Sequence, residues 1–452
     1  MPHAPNPKPR DPQKILDAVL AAARRQGADA ADALLVENIS ASVSYRLGKL
    51  EDVERSESSD LGLRVFIGNR VAMISSSDFS DESLARLPER AIAMARLAPE
   101  DRFAGLAPSE FLATAIPDLD LEDKGEPAAE SLVERARTAE QAGLAVPGVT
   151  NSEGGGAGFS RMAIALATSE GFFGRYAGTS HNIGVAVLAG EGTGMERDYD
   201  HASARHAKDL PGAEAIGRSA GEKAVRRLNP RKVKSQSAPV VFDPREAGGL
   251  VGHFASAISG ASVARGTSFL KDRMGSELFA PHIRIIDDPH RPRGLRSKPF
   301  DGEGVANGAR ALIDKGVLTS WLLDCASARQ LGLTTTGHAA RGTGGPPMPS
   351  ATNLYMEAGT LTAKALIADI KQGFYVTELM GMGVNGVTGD YSRGAAGFWI
   401  ENGEIAFPVS EVTIAGNLKD MFRQLTPADD LEFRYGTNAP TCRIEGMTIA
   451  GA

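Results

Sequence analysis

The sequence predicts an α+β protein: an N-terminal duplicated α/β-sheet domain followed by a C-terminal, mostly antiparallel β domain of barrel-like character. Three observations carry this. A helix–strands–helix order occurs twice before residue 229. A polar stretch with prolines at both ends, "NPRKVKSQSAP", follows at 229–239 and reads as a linker. Beyond it, short strands and glycine turns dominate. The predicted domains are therefore 1–228 and 240–452, joined by 229–239.

The first helix is capped by Asp11, carries Pro12 in its first turn, repeats apolar residues at helical spacing through "QKILDAVLAAARRQ" and ends at Gly27. Alternating stretches come next. "ALLVENISASVSYRLG" reads as one strand, and "LGLRVFIGNRVAMISSS" as two strands around a Gly-Asn turn. Ser80 starts a second helix through "ESLARLPERAIAMARLA". After the acidic segment "DLDLEDKGEP", the order recurs: the helix "AAESLVERARTAEQAG", the strands "RMAIALATSEGFFGRYAG" and "HNIGVAVLAGEG", and the helix "GAEAIGRSAGEKAVRRL". In the C-terminal part, "AAGFWIENGEIAFPV" predicts two strands joined at Asn402-Gly403, a dipeptide suited to a tight hairpin.

The bulk numbers bound the function. A chain of 452 residues exceeds one typical core, and its 42% hydrophobic and 23% charged residues are ordinary for a globular protein. The net charge of −7 repels a phosphate backbone, which argues against nucleic acid as a partner. Two cysteines, Cys325 and Cys442, exclude a disulfide framework and a Cys-rich zinc module. The polar, proline-rich start lacks an apolar signal region and no stretch reaches about 18 apolar residues, so a soluble cytoplasmic protein without membrane contact is expected.

Four patterns touch on chemistry. "GRSAG" at 217–221 matches the G-x-S-x-G pattern of serine hydrolases, but it lies within a helical pattern, where small residues serve close packing. "GTGGPP" at 342–347 lacks the Lys-Ser or Lys-Thr pair of a phosphate-binding loop. Asp287, Asp288 and His290, with Asp301 and Glu303 nearby, offer ligand types for a divalent ion. Arg284, Arg291 and Arg293 stand among them, which favours salt-bridged loops. His253, in "GGLVGHFASAIS", sits alone on a helix with no second histidine and no adjacent carboxylate; a zinc-peptidase helix needs both.

From residue 240 onward the chain resembles the TldD/TldE family of two-subunit peptidases, in particular its TldE (PmbA) branch. The resemblance rests on "HFASAISGASVARGTSFLKD", "IIDDPHRPRGLRSKPFDGEG", "GHAARGTGGPPMPS", "VTELMGMGVNGVTGDYSRGAAGFWIENGEIAFPVSEVTIAGNLKDM" and "PADDLEFRYG". It implies a metallopeptidase that takes peptides or unfolded segments into a chamber between a TldD-type catalytic paralogue and a TldE-type subunit. The TldD-type subunit carries zinc on an H-E-x-x-x-H helix and a distant cysteine. With His253 on the second histidine of that pattern, Gly248 falls on the first and Gly249 on the glutamate. The cysteine position falls near Thr426, whereas Cys442 lies on the strand after it. The resemblance thus implies no catalytic or metal-ligating residue in this chain, with His253 a vestigial ligand position and zinc expected in the partner. His253, His338, Arg341, Asp390 and Arg393, all within the resembling stretches, are the candidates for lining the chamber. The family has also been described as modulating DNA gyrase. Two rival expectations stand beside this one: a self-sufficient metallohydrolase using Asp287, Asp288, His290 and His253, and a stand-alone homodimeric peptide-binding protein.

Overall fold

A computed structural model describes residues 11–451, so most of the proline-rich start lies outside the described residues. The N-terminal half is built from α1 (Pro12–Arg25), β1 (Ala30–Arg46), β2 (Lys49–Ile67), β3 (Arg70–Ser76), α2 (Asp81–Leu97), α3 (Ala129–Leu144), β4 (Val149–Thr168), β5 (Phe173–Ala189), β6 (Glu196–Ala204) and α4 (Ala213–Arg226). Asp11 and Ser80 cap α1 and α2 with their side chains.

The two α-βββ-α units share one six-stranded sheet of order β3-β2-β1-β4-β5-β6, joined where β1 and β4 pair antiparallel. Alternation along β1 explains the layering. Ala33 and Leu35 pack against α1 and α2, and Val43 and Tyr45 against α3, so odd positions face the helices. Asp32 and Leu34, at even positions, face the C-terminal half, where Leu34 meets Phe300. The sequence reading stopped short at three places, one of them β4, which begins at Val149 and not at Arg161. β2 begins at Lys49, because the exposed, charged 49–58 stretch pairs with β1 along its length. β6 had no apolar alternation to show it: its inward residues include Asp198 and Asp200, buried beside Arg245 and Lys223.

The C-terminal half begins earlier than expected. Residues 236–239 of the 229–239 stretch already belong to β7 (Gln236–Phe242), since Gln236, Ser237 and Ala238 pair with the last strand of the chain. Then come α5 (Pro244–Ala257), α6 (Gly260–Ala264), β8 (Ile285–Asp287), β9 (Arg310–Asp314), β10 (Val317–Leu318), α7 (Cys325–Leu331), β11 (Ala339–Ala340), β12 (Met348–Pro349), β13 (Leu354–Met356) and α8 (Ala363–Ile367). The chain finishes with β14 (Gln372–Met380), β15 (Asp390–Glu401), β16 (Glu404–Asn417), α9 (Leu418–Arg423), β17 (Leu425–Pro427), β18 (Thr437–Asn438) and β19 (Cys442–Ala450).

Strands β16, β15, β14, β7 and β19 run in that order, and an additional β16–β19 pairing closes them into a five-stranded barrel. Closure removes the open edges a flat sheet would leave. All its pairings are antiparallel except β7–β14. The expected hairpin joins β15 to β16 at Asn402-Gly403, both at positive φ (52° and 82°). A short sheet of order β10-β9-β8-β13-β18 lies beside the barrel, and α5 buries Leu250, Val251, Phe254 and Ala257 in the common core. No helix among the described residues is long and apolar enough to cross a membrane.

Candidate functional site

Helix α5 organises the site. Asp243 caps it, accepting a hydrogen bond from the Arg245 backbone N–H at 3.0 Å, and Pro244 occupies its first turn. Ala247, Leu250, Val251 and Phe254 face the core. Glu246, Gly249 and His253, spaced at 3 and 4 residues, therefore share another face. His253 meets the Tyr391 ring edge-on, with centroids 6.0 Å apart. It lines a cavity of about 300 Å³ whose walls include Phe269, Met382, Val384, Arg393 and Leu418.

The electrostatics of this cavity are one-sided. Burial, and then the positive charge of Arg393, push the His253 imidazole below its usual pKa, so the ring is neutral at neutral pH. Arg393 Nε donates to the Met380 carbonyl at 3.2 Å. Glu246 is pushed up to about 7, chiefly by burial, against the pull of Arg245 and Arg393. The Tyr391 hydroxyl is buried and has no hydrogen-bond partner among the described residues.

The other expected chamber residues lie elsewhere. Asp390 is exposed at the base of the adjoining loop, accepting from Thr388 Oγ1 (2.6 Å) and Asn417 Nδ2 (3.0 Å), bonds that hold its carboxyl below the usual range. His338 is buried under the small sheet. Its Nδ1 lies 2.8 Å from Thr336 Oγ1, and its Nε2 is 3.2 Å from Asp287 Oδ2 but outside hydrogen-bond geometry. The Arg341 side chain is fully buried between the two halves, 2.6 Å from Asp32. Of the five candidates, the structure brings only His253 and Arg393 together in the cavity.

The residues around α5 do not fit a zinc ion. A Cβ at Gly248 would stand 3.1 Å from the Thr437 carbonyl oxygen, whereas Gly249 faces open space. Thr426 lies on β17. Cys442 is fully buried, 3.9 Å from Met356 Sδ, and burial pushes its thiol well up. The rival ligand set is dispersed among structural roles. Asp287 accepts from Thr352 N–H and Oγ1, both at 2.6 Å; Asp288 accepts from the His290 N–H; and His290 Nε2 lies 2.8 Å from Asn307 Oδ1. Among the described residues, no three His, Cys, Asp or Glu side chains come together to hold a metal ion.

The two glycine motifs are structural. Gly217 and Gly221 let α4 approach α3: a Cβ on Gly217 would fall 2.0 Å from the Ala139 carbonyl oxygen. Ser219 between them donates to Asp200. The "GTGGPP" loop lies over β2, with the Thr343 carbonyl against Gly62 and its hydroxyl bonded to Asp60.

Sequence reasoning missed a larger cavity, about 520 Å³, at the seam of β6, α4 and the barrel. Its groups are largely paired: Arg245 with Asp198 at 2.9 Å, and the Tyr375 hydroxyl donating to Asp243 at 3.0 Å. No local motif announces it, because its walls come from segments up to 241 residues apart, from Asp198 to Ala439.

Three profiles of one family match the chain in series: PmbA/TldA metallopeptidase domain 1 over residues 31–95, the central domain over 122–228 and the C-terminal domain over 235–451. Metalloprotease PmbA of Escherichia coli O157:H7 is 40% identical over 444 residues, covering 97% of each chain. The PmbA homologue of Haemophilus influenzae is 37% identical over 91% of this chain and 90% of its own. Among solved structures, a Bacteroides thetaiotaomicron protein named as a candidate modulator of DNA gyrase superposes with a TM-score of 0.90 at 26% identity, covering 97% of this chain and 99% of that one. TldE from Thermococcus kodakarensis shares the fold, with a TM-score of 0.85 at 22% identity over 96% and 99% of the two chains. With the whole architecture and nearly the whole sequence matched, this chain belongs to the PmbA/TldD family of metallopeptidases.

Proposed function

We propose that this chain is the non-catalytic, chamber-forming half of a cytoplasmic two-subunit peptidase, with zinc and the catalytic base in a TldD-type paralogue. The observation that carries this reading is the helix α5 itself. It presents one neutral imidazole, an open glycine where a base would stand, and at Gly248 a backbone contact where another ligand would begin. The relatives named as metalloproteases support a peptidase setting. The chain's part is to form a wall and hold substrate, and no chemical step is routed through its own residues.

Exposed apolar residues support a partner-binding face on this side of the chain. Met380, Met382 and Val387 are 45%, 98% and 57% exposed on the loop over the His253 cavity. An interface covering them would be of the obligate kind, on the order of 2,000 Å² or more. A modulating effect on gyrase would be indirect, through peptide processing, since the net charge of −7 disfavours DNA contact.

The test is elemental analysis and unfolded-peptide cleavage on the purified chain, alone and mixed with the H-E-x-x-x-H paralogue from the same genome. The expected result is no stoichiometric zinc and no turnover alone, and a 1:1 complex with activity when mixed. About one tightly held zinc per isolated chain would overturn the reading. A chain that stays monomeric with the paralogue at micromolar concentration would do the same.

A further inference from the structure

The cavity beside His253 has a chemistry that the missing metal ligands do not explain. Arg393 lines it, and among the described residues no carboxylate lies within ion-pairing distance of its guanidinium; its one bond is from Nε to the Met380 carbonyl. Half-buried arginines are ordinarily paired, since the guanidinium fork matches a carboxylate in bidentate geometry. Glu246 senses the charge of Arg393 but does not offset it fully, because burial pushes its carboxyl up to about 7. The neutral His253 ring, on the same helix face, adds a neutral hydrogen-bonding group. The remaining walls combine an apolar patch, Phe269, Met382, Val384 and Leu418, with hydroxyl side chains that carry no charge, Ser256, Ser262, Thr267 and Ser268. At about 300 Å³ the space is at the small end for a ligand pocket and suits one or two amino-acid residues.

We propose that this cavity captures the C-terminal residue of a peptide. The α-carboxylate sits on the Arg393 guanidinium with His253 as a second donor, and an apolar side chain lies against Phe269, Met382 and Val384. A free chain end supplies what the cavity lacks, an anion with an apolar neighbour, whereas an internal peptide bond supplies no charge. The inference rests on the reading of this chain as a subunit that meets peptides. It adds a preference: substrates or products with a free C-terminus and an apolar last residue are held by the non-catalytic wall.

The test is titration calorimetry on the purified full chain with three short, unstructured peptides. One ends in leucine with a free carboxylate; the second is its C-terminal amide; the third is amidated and carries glutamate in place of that leucine. The free acid is expected to bind at least about tenfold more tightly than either amide, the scale of one charge-assisted bond. In Arg393→Gln, checked for folding by its thermal midpoint, the free acid falls to the level of the amide. Equal binding of acid and amide overturns the proposal, as does binding of the glutamate amide as tight as the free acid. So does the absence of any binding at millimolar peptide, or a folded Arg393→Gln that still discriminates. If that variant fails to fold, the comparison of peptides on the natural chain decides alone. The readout is binding without partner or metal, so an error in the division of labour between subunits would appear in the turnover assay and not here.

Discussion

The carbonyl oxygen of Thr437 lies 3.1 Å from the point where a Cβ on Gly248 would be. The contact joins α5 to β18 of the small sheet, so the helix is seated closely at the residue where a zinc-binding helix needs an imidazole. One turn position on, Gly249 has nothing within 4 Å of its own Cβ position. Neighbouring glycines on one helix therefore have different reasons to be there. Gly248 serves backbone packing, and Gly249 borders open space.

That difference predicts opposite stabilities. Gly249→Ala removes the entropic cost of a mid-helix glycine and should stabilise the chain by about 0.5–1 kcal/mol. Gly248→Ala gains the same helix term but presses a methyl group on backbone that yields poorly, so it should fall below Gly249→Ala by about 1 kcal/mol or more. Urea midpoints of the two variants give the comparison. Equal stabilisation by both would show that the Thr437 contact is not tight.

The buried pairing of Asp32 with Arg341 should hold the two halves of the molecule together. Burial alone would raise the Asp32 carboxyl, but the guanidiniums of Arg341 and Arg64 outweigh it and keep it ionised. Arg341→Met strips one of these partners from a carboxylate that is 1% exposed. The expected loss is about 3 kcal/mol, because the buried carboxylate is left with Arg64 as its single guanidinium partner. Denaturant unfolding measures it, and a loss under about 1 kcal/mol would mean that Arg64 suffices alone.

Much of this architecture was legible in the sequence, for physical reasons that also explain the failures. α1 and α2 were visible because Asp11 and Ser80 cap them and their apolar spacing is strict. The β15–β16 hairpin was visible because Asn402-Gly403 adopts positive φ. β6 was not, because it buries aspartates whose arginine and lysine partners come from α4 and α5. Of the site, the solitary state of His253 could be read directly. The placement of Arg341 and His338 could not, since both lie in polar, glycine-rich segments whose burial depends on contacts with distant strands.

A pH effect should trace to Glu246. Burial, with smaller contributions from Asp243 and Glu378, raises its carboxyl to about 7 against the pull of Arg245 and Arg393. The folded state then binds a proton that the unfolded chain, near 4.3, has already released. Its contribution to stability is fully present below about pH 4.3 and is lost as pH rises towards 7. Glu246→Gln cannot ionise, so relative to the natural chain it should gain about 2 kcal/mol between pH 5 and 8. Urea midpoints at the two pH values test this, and a constant difference would remove Glu246 as the cause.

The sharpest division concerns His253. A zinc ligand contributes a coordinate bond without which the metal site fails, so its loss abolishes turnover while leaving assembly intact. A wall residue contributes an edge-on contact to Tyr391 and one neutral hydrogen bond towards a substrate, worth about 1 kcal/mol. His253→Ala in the complex with the catalytic paralogue should therefore lower peptide turnover by no more than about tenfold, a barrier change near 1.4 kcal/mol. Replacing the glutamate of the partner's motif should remove activity altogether, since that residue is the expected base. Both complexes are compared at matched assembly, established by sizing, and the mutant complex is assayed over a range of peptide concentrations. A neutral wall contact acts mainly on KM, whereas a ligand acts on kcat. Collapse of kcat in the His253→Ala complex, with its 1:1 stoichiometry preserved, would place this histidine in the working centre and end the division of labour proposed for the two subunits.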